Sequence, residues 1–372
     1  MLIRNAVVFT GQTFAPGLRV RIGDGRIAEA GDALTPAPGE ETLDLGGDFL
    51  LPGLVDVHIH GIAGHDAMRG KDDVLAMGRA LRSHGVAAFC PTTMSASDAD
   101  TAAALSGIRA ARRETGPDGA RILGAHMEAP YLSDRHPGAQ DGRFFRDPDP
   151  AHLLALTGGH PESVRVITLA PERAGSEAFI REAVRLGIRV SAGHTDADAE
   201  TLHRAGDAGA TRLTHTFNAH PPLHHRAPGS VGAALADERF YCELIPDGVH
   251  LHRDTVRLIA LCKREKAVAI TDAMEAAGMP DGVYSLGGQR VTVEGGAARL
   301  AGGSLAGSVL TLERALENLI CRFGIDPALA CAMVTSSPAD SVGEEAFGRI
   351  RPGTPVPLTR WTKDWRFAGC IG

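Results

Sequence analysis

From residue 54 to 61 apolar and polar side chains alternate: Val55, Val57 and Ile59 against Asp56, His58 and His60, with Gly61 closing the run. A period of two predicts a strand and puts Asp56, His58 and His60 on one face of it. Further strand-like runs follow at 86–93, 121–128, 164–170, 188–194, 212–215, 241–245 and 268–272. Between them apolar residues recur at helical spacing, as in Val74, Met77 and Leu81, in Phe179, Ala183 and Leu186, and in Val256, Ile259 and Cys262. Leu312, Leu316, Leu319 and Phe323 continue that stripe after the last strand. Strands alternating with amphipathic helices predict an α/β fold, a (β/α)8 TIM barrel over residues 53–334.

The two ends of the chain read differently. Residues 1–52 hold short strands and turns, including a hairpin around Asp24-Gly25, and no helical pattern. Beyond residue 335 the pattern again shortens to turns, ending in Trp361 and Trp365-Arg366-Phe367. Residues 1–52 plus 335–372 are therefore expected to pair into a small β-sandwich domain beside the barrel.

Composition narrows the class. The net charge of -7 argues against a nucleic-acid surface, and no apolar run is long enough to span a bilayer. The six cysteines are scattered with no Cys-x-x-Cys pair, as in reduced protein, and Met1 leads straight into a strand-like segment. The expectation is a cytoplasmic protein with no nucleic-acid and no membrane partner.

Candidate chemistry falls at the ends of the predicted strands, where barrel enzymes carry their functional groups. Those ends bear His58 and His60, Glu128, His194, His215 and Asp272. A His-x-His spacing alone says little, since His250-x-His252 repeats it, and single residues of this kind are often packed or capping groups. The set at one rim points to a shared metal site. Imidazole and carboxylate donors suit zinc or iron, and a carboxylate beside an open position could move the proton needed to hydrolyse an amide-like bond.

The finer motifs are Pro52-Gly53-Leu54-Val55-Asp56-Val57-His58-Ile59-His60-Gly61, His126-Met127-Glu128-Ala129-Pro130-Tyr131, Ser191-Ala192-Gly193-His194-Thr195, Thr214-His215-Thr216-Phe217-Asn218-Ala219, Pro246-Asp247-Gly248-Val249-His250, Thr271-Asp272-Ala273-Met274 and Gly303-Ser304-Leu305-Ala306-Gly307-Ser308. Together they resemble the amidohydrolase superfamily and, within it, the N-acetylglucosamine-6-phosphate deacetylase family. The resemblance implies a phosphorylated amino-sugar substrate, one or two divalent metals (zinc or iron) per subunit, and a homodimer. It assigns Glu128, His194 and His215 to the principal metal, Asp272 to general base and then acid, and His58 and His60 to a second metal that only some members hold. It places Ala139, Gln140, Asn218, Ala219, Arg226, Asp247, His250 and residues 305–307 (Leu305, Ala306, Gly307) against the substrate, with Arg226 on the phosphate. A guanidinium binds phosphate oxygens bidentately, although Arg226 taken alone reads as a solvated loop residue.

Some positions depart from the family pattern. Ala129 stands where Gly is common, and Pro137-Gly138-Ala139-Gln140 where Lys-Gly-Ala-His is found. Gln140 can donate a hydrogen bond to the acetyl carbonyl or a sugar hydroxyl but carries no charge. Three rivals remain at this stage: the galactosamine 6-phosphate counterpart, a cyclic amidase with a carboxylated lysine, and a barrel that has lost catalysis. No lysine ends a predicted strand, which argues against the second.

Overall fold

The computed structural model describes residues 1–372. Eight parallel strands form the barrel: β1 (Leu54–Ile59), β2 (Val86–Thr93), β3 (Ala125–Met127, preceded by a short Arg121–Ile122 segment), β4 (Val164–Leu169), β5 (Arg189–Ala192), β6 (Arg212–Leu213), β7 (Tyr241–Leu244) and β8 (Ala267–Ala269). They neighbour one another in chain order, as the strand pattern predicted. Covered by helices outside and side chains inside, they read as nearly continuous apolar runs; every residue of β1 and β2 is buried.

The seam between β8 and β1 is closed by side chains as well as backbone. The Asp272 N–H donates to the His58 carbonyl at 2.9 Å, and Asp56 Oδ2 accepts the Thr271 hydroxyl at 2.6 Å. Burial pushes the Asp56 carboxyl up to about 7, against the pull of the Thr271 hydroxyl and the His58 and Thr271 N–H groups.

Helices follow where the stripes lie. Lys71–Ser83 buries Val74, Met77 and Leu81, and Ser176–Arg185 buries Phe179, Ile180 and Ala183. In Arg253–Lys263 the buried face is Val256, Ile259, Ala260 and Lys263, while Cys262 is exposed and not part of the stripe. The lysine is tolerated there because its ammonium donates to the carbonyls of Ala234 and Asp237 at 2.8 and 2.7 Å.

Two sheets stand beside the barrel. One joins Leu2–Arg4, Arg19–Gly23, Arg26–Gly31 and Thr42–Asp44; the other joins Val7–Phe9, Phe14–Pro16, Phe49–Pro52, Leu358–Trp361 and Phe367–Ile371. The strand from the C-terminal end pairs antiparallel with Phe49–Pro52, and the Asp24-Gly25 hairpin forms with both turn residues at positive φ. Ile3, Val8, Val20, Ile27, Leu50, Leu358 and Ile371 fill the space between the sheets. Phe9, Leu51, Trp361 and Trp365 instead join the barrel core, so the unit is docked through shared packing.

Two features depart from the sequence reading. A three-stranded sheet, Gly282–Leu286, Gln289–Glu294 and Ala297–Leu300, is inserted after β8. The helix Ser336–Ser341 packs against β1 and β8, so a boundary at 334–335 cuts a helix pair that sits on the barrel.

Candidate active site

His58, His60, Glu128, His194, His215 and Asp272 converge at the C-terminal ends of β1, β3, β5, β6 and β8. Glu128 is the hub. Its Oε1 lies 3.2 Å from His194 Nε2, 3.0 Å from His215 Nε2 and 3.4 Å from His58 Nε2. Its Oε2 is 3.3 Å from His60 Nε2, and Asp272 Oδ1 is 3.2 Å from the same nitrogen. All six are buried.

The backbone bends sharply to achieve this. His194, His215 and Asp272 have φ of 46°, 26° and 48°, left-handed conformations that non-glycine residues seldom adopt. Each lies two or three residues past the end of its strand, and the bend turns the side chain inward over the barrel mouth. Strain of about 1–3 kcal/mol at each such position is held by the surrounding packing.

The other ring nitrogen of every imidazole is occupied. His58 Nδ1 faces Glu243 at 3.0 Å, His60 Nδ1 the Thr92 carbonyl at 3.2 Å, His194 Nδ1 the His136 carbonyl at 2.9 Å and His215 Nδ1 the Asn218 carbonyl at 3.0 Å. These acceptors fix the proton on Nδ1 and leave four Nε2 lone pairs aimed at one region. His194 and His215 Nε2 stand 3.1 Å apart, and the buried His58 Nε2 has no hydrogen-bond partner. Two acceptors at that distance, together with carboxylates, fit a shared cation. The groups fall into Glu128 with His194 and His215, and His58 with His60 and Asp272.

In the metal-free chain protons serve instead. Burial pushes the His58 and His60 pKa values down, but Glu128 and Asp272 outweigh it, holding His58 well above its ordinary value and His60 at about 9. Burial likewise works against ionisation of Glu128 and Asp272, yet the imidazoles hold both below the usual carboxylate range.

A cavity of about 230 Å³ opens above these groups. Ala139, Gln140, Asn218, Ala219, His250, Leu305 and Gly307 line it, joined by Met94, Gly138, Leu286 and Ser304. Three expected substrate contacts lie outside its wall. Ala306 packs in the core under the inserted sheet, and Asp247 sits behind His250, bonded to its Nδ1 at 2.7 Å. Arg226 is exposed, its guanidinium 2.8 Å from His225 Nε2. Gln140 lines the cavity, and its amide is engaged by protein groups. Its Oε1 accepts the Ser95 N–H at 2.7 Å, which turns Nε2 toward Glu128 at 2.7 Å. The second His-x-His pair divides: His250 lines the cavity, while His252 caps the helix Arg253–Lys263.

Three buried polar residues escaped the sequence reading. Glu243, inside β7, holds His58; Arg212, opening β6, bonds Glu243 Oε1 at 2.5 Å. His126 has both nitrogens engaged, by the Val57 carbonyl at 3.3 Å and the Thr168 hydroxyl at 2.8 Å, and burial pushes its pKa down to about 3. A charged residue within an apolar run, as in Tyr241-Cys242-Glu243-Leu244-Ile245, was the available signal.

Barrel and site together define a hydrolase of the metal-dependent kind. The chain belongs to the amidohydrolase family, whose model it matches over residues 49–370. It is 39% identical over 356 residues to N-acetylgalactosamine-6-phosphate deacetylase of Escherichia coli O157:H7, covering 95% of this chain and 92% of that one. It is 36% identical over 324 residues to N-acetylglucosamine-6-phosphate deacetylase of Bacillus subtilis strain 168, covering 86% and 82%. Among solved structures, a mutant N-acetyl-D-glucosamine-6-phosphate deacetylase from Mycobacterium smegmatis in complex with N-acetyl-D-glucosamine-6-phosphate superposes with a TM-score of 0.92 at 32% identity, covering 100% and 97%. The Thermotoga maritima N-acetylglucosamine-6-phosphate deacetylase gives 0.89 at 32% identity, covering 100% and 98%.

Proposed function

We propose that the chain hydrolyses the acetamide of N-acetyl-D-glucosamine 6-phosphate to D-glucosamine 6-phosphate and acetate, with N-acetyl-D-galactosamine 6-phosphate as the alternative substrate. The observation that carries this reading is the convergence of four imidazole Nε2 atoms with Glu128 and Asp272 beneath a cavity of sugar size. The relatives narrow an amide hydrolase to this substrate class. The cavity wall holds no lysine, which speaks against a carbamate-bridged cyclic amidase.

Glu128, His194 and His215 would hold the first divalent cation, zinc or iron, and His58 and His60 with Asp272 a second. Such a cation supplies Lewis acidity toward a carbonyl and toward water. Asp272, at the cavity floor, takes the proton from the attacking water and delivers it to the departing amine nitrogen. Gln140 holds Glu128, while Asn218, Ala219 and His250 orient the sugar. No Arg or Lys lines the cavity, so the 6-phosphate needs a cation from outside it. Arg226 is our candidate, on a loop that includes the 45% exposed Leu223. The reading extends to a cytoplasmic homodimer whose second copy covers this loop near His224 and His225.

Acetate release on both 6-phosphates, side by side with unphosphorylated N-acetylglucosamine, tests the proposal. Turnover of a 6-phosphate well above the unphosphorylated sugar is expected. No acetate from either phosphate by zinc-loaded protein would reject it.

A further inference from the structure

The groove of about 640 Å³ between Arg253–Lys263, Pro327–Val334 and Ser336–Ser341 holds no group aimed at a defined ligand. The buried charges behind the active site are more informative. Glu243 and Arg212 both have fully buried side chains, and neither touches the cavity. Glu243 Oε2 faces His58 Nδ1 at 3.0 Å and accepts the His215 backbone N–H at 3.2 Å. Its Oε1 is held by Arg212, whose other amino group reaches the hydroxyl of Ser341, on the helix packed beneath β1 and β8. One carboxylate thus touches a residue of each metal group, and its own position is fixed from outside the barrel wall.

His58, His126 and Glu243 themselves make no metal site. Both His126 nitrogens are used by Val57 and Thr168, and Arg212 already occupies Glu243. Burying an arginine–glutamate pair is expensive, and a hydrophobic pair of the same volume would serve stability as well. Keeping the pair has a use if Glu243 acts on its other neighbour.

We propose that Glu243, locked by Arg212 and Ser341, is a positioning residue that makes His58 a ligand and so sets the affinity of the His58, His60 and Asp272 group for a second cation. It takes the Nδ1–H, so His58 offers only Nε2 to the cavity floor, and its negative charge makes that lone pair a stronger donor. None of the other three imidazoles has a carboxylate on Nδ1. Through the His215 N–H it also steadies the left-handed turn that carries a ligand of the first cation. The proposal rests on the metal-binding reading above.

Glu243→Gln tests it. The amide cannot accept from both His58 and Arg212, so one of these buried donors loses its partner. Zinc titration by competition with a chelator of known affinity, with elemental analysis, should give two sites in the wild type. In the variant the weaker site should lose tenfold to a hundredfold in affinity. The tighter one should change far less, because His194 and His215 keep their own Nδ1 acceptors and only the support of the His215 N–H is altered. A merely structural pair would lower Tm by the same amount with and without zinc and leave both affinities unchanged; that result overturns the proposal. Wild type binding only one zinc overturns it too, and wild type binding none sinks the metal reading itself. Should the variant not fold, the wild type still decides. Zinc-loaded protein should show a slowly exchanging, far-downfield imidazole N–H resonance that disappears in His58→Gln, and its absence rejects the proposal.

Discussion

The floor of the cavity and the loop of residues 222–227, which the proposed reading sets at its entrance, are built in opposite ways. On the floor, each imidazole is fixed at its rear nitrogen, and His194 and His215 are aimed by left-handed backbone turns that only tight packing can hold. At the entrance, residues 222–227 are exposed, and the loop is tied mainly to itself by a bridge between His224 and Ala227 and by Arg226 on His225. The floor is preorganised for chemistry before any ligand arrives. The loop is set locally, and if Arg226 holds the phosphate as proposed, something else must bring it to the substrate. On the proposed reading, reaction type is written into the barrel, and substrate choice into parts that the barrel does not hold.

Removing metal challenges the floor most directly. Chelation should lower acetate release by at least about 10³-fold, roughly 4 kcal/mol of barrier, and zinc should restore it. The far-ultraviolet dichroism should hardly change, because the core and the rear acceptors do not depend on the cation. A fully active preparation shown metal-free by elemental analysis refutes the metal reading, and unfolding on chelation would show that the floor is not prebuilt. Asp272→Asn comes next. The amide keeps the size but cannot take a proton, so kcat should fall by about 10²-fold or more. Metal at Glu128, His194 and His215 should be retained. If kcat survives, the proton carrier lies elsewhere; if that metal is lost as well, Asp272 is a ligand first.

The entrance should respond differently. Arg226→Ala is expected to cost about 2–3 kcal/mol in kcat/KM on the phosphorylated sugar, the scale of a lost charge-assisted contact, and little on the unphosphorylated one. Equal losses on both would give Arg226 a structural job and remove the contrast in what the two regions do.

The same contrast explains what could be read in advance. The strands, and the polar residues at their ends, were legible because a buried parallel strand must be apolar until it reaches the rim. His58, His60, Glu128, His194, His215 and Asp272 stood out for that reason. The inserted sheet was readable in part: Val291 and Val293 alternate with Thr292 and Glu294 between Gly-Gly turns. The helix Pro327–Val334 was not recognised, since it is apolar on nearly every side and has no stripe, although Asp326 and Pro327 mark its start. Gln140's use on Glu128 and Glu243's on His58 depend on which way a side chain turns across the barrel, which no local pattern encodes. Arg226 shows the reverse limit, a motif position that the fold of one chain leaves outside the cavity.

The smallest expected effect separates the floor from the rest of the molecule by pH. Without metal, Glu128 and Asp272 hold His60 protonated up to about 9, against an ordinary value near 6.5. The folded state therefore binds more protons here than the unfolded chain between those values, and stability falls as pH rises through that window. The contribution is complete below about 6.5 and lost above about 9. His58, raised in the same direction, adds to it. A bound cation replaces these protons, because ligand imidazoles must give up the proton on Nε2. Metal-free protein should lose on the order of 1–2 kcal/mol between pH 7 and 9, seen as a Tm lower by a few degrees. Zinc-loaded protein should change less over the same range, and its zinc affinity should increase with pH. Parallel Tm curves for the two forms would mean that the protons and the cation do not share the floor, and the contrast drawn between it and the entrance would lose its electrostatic half.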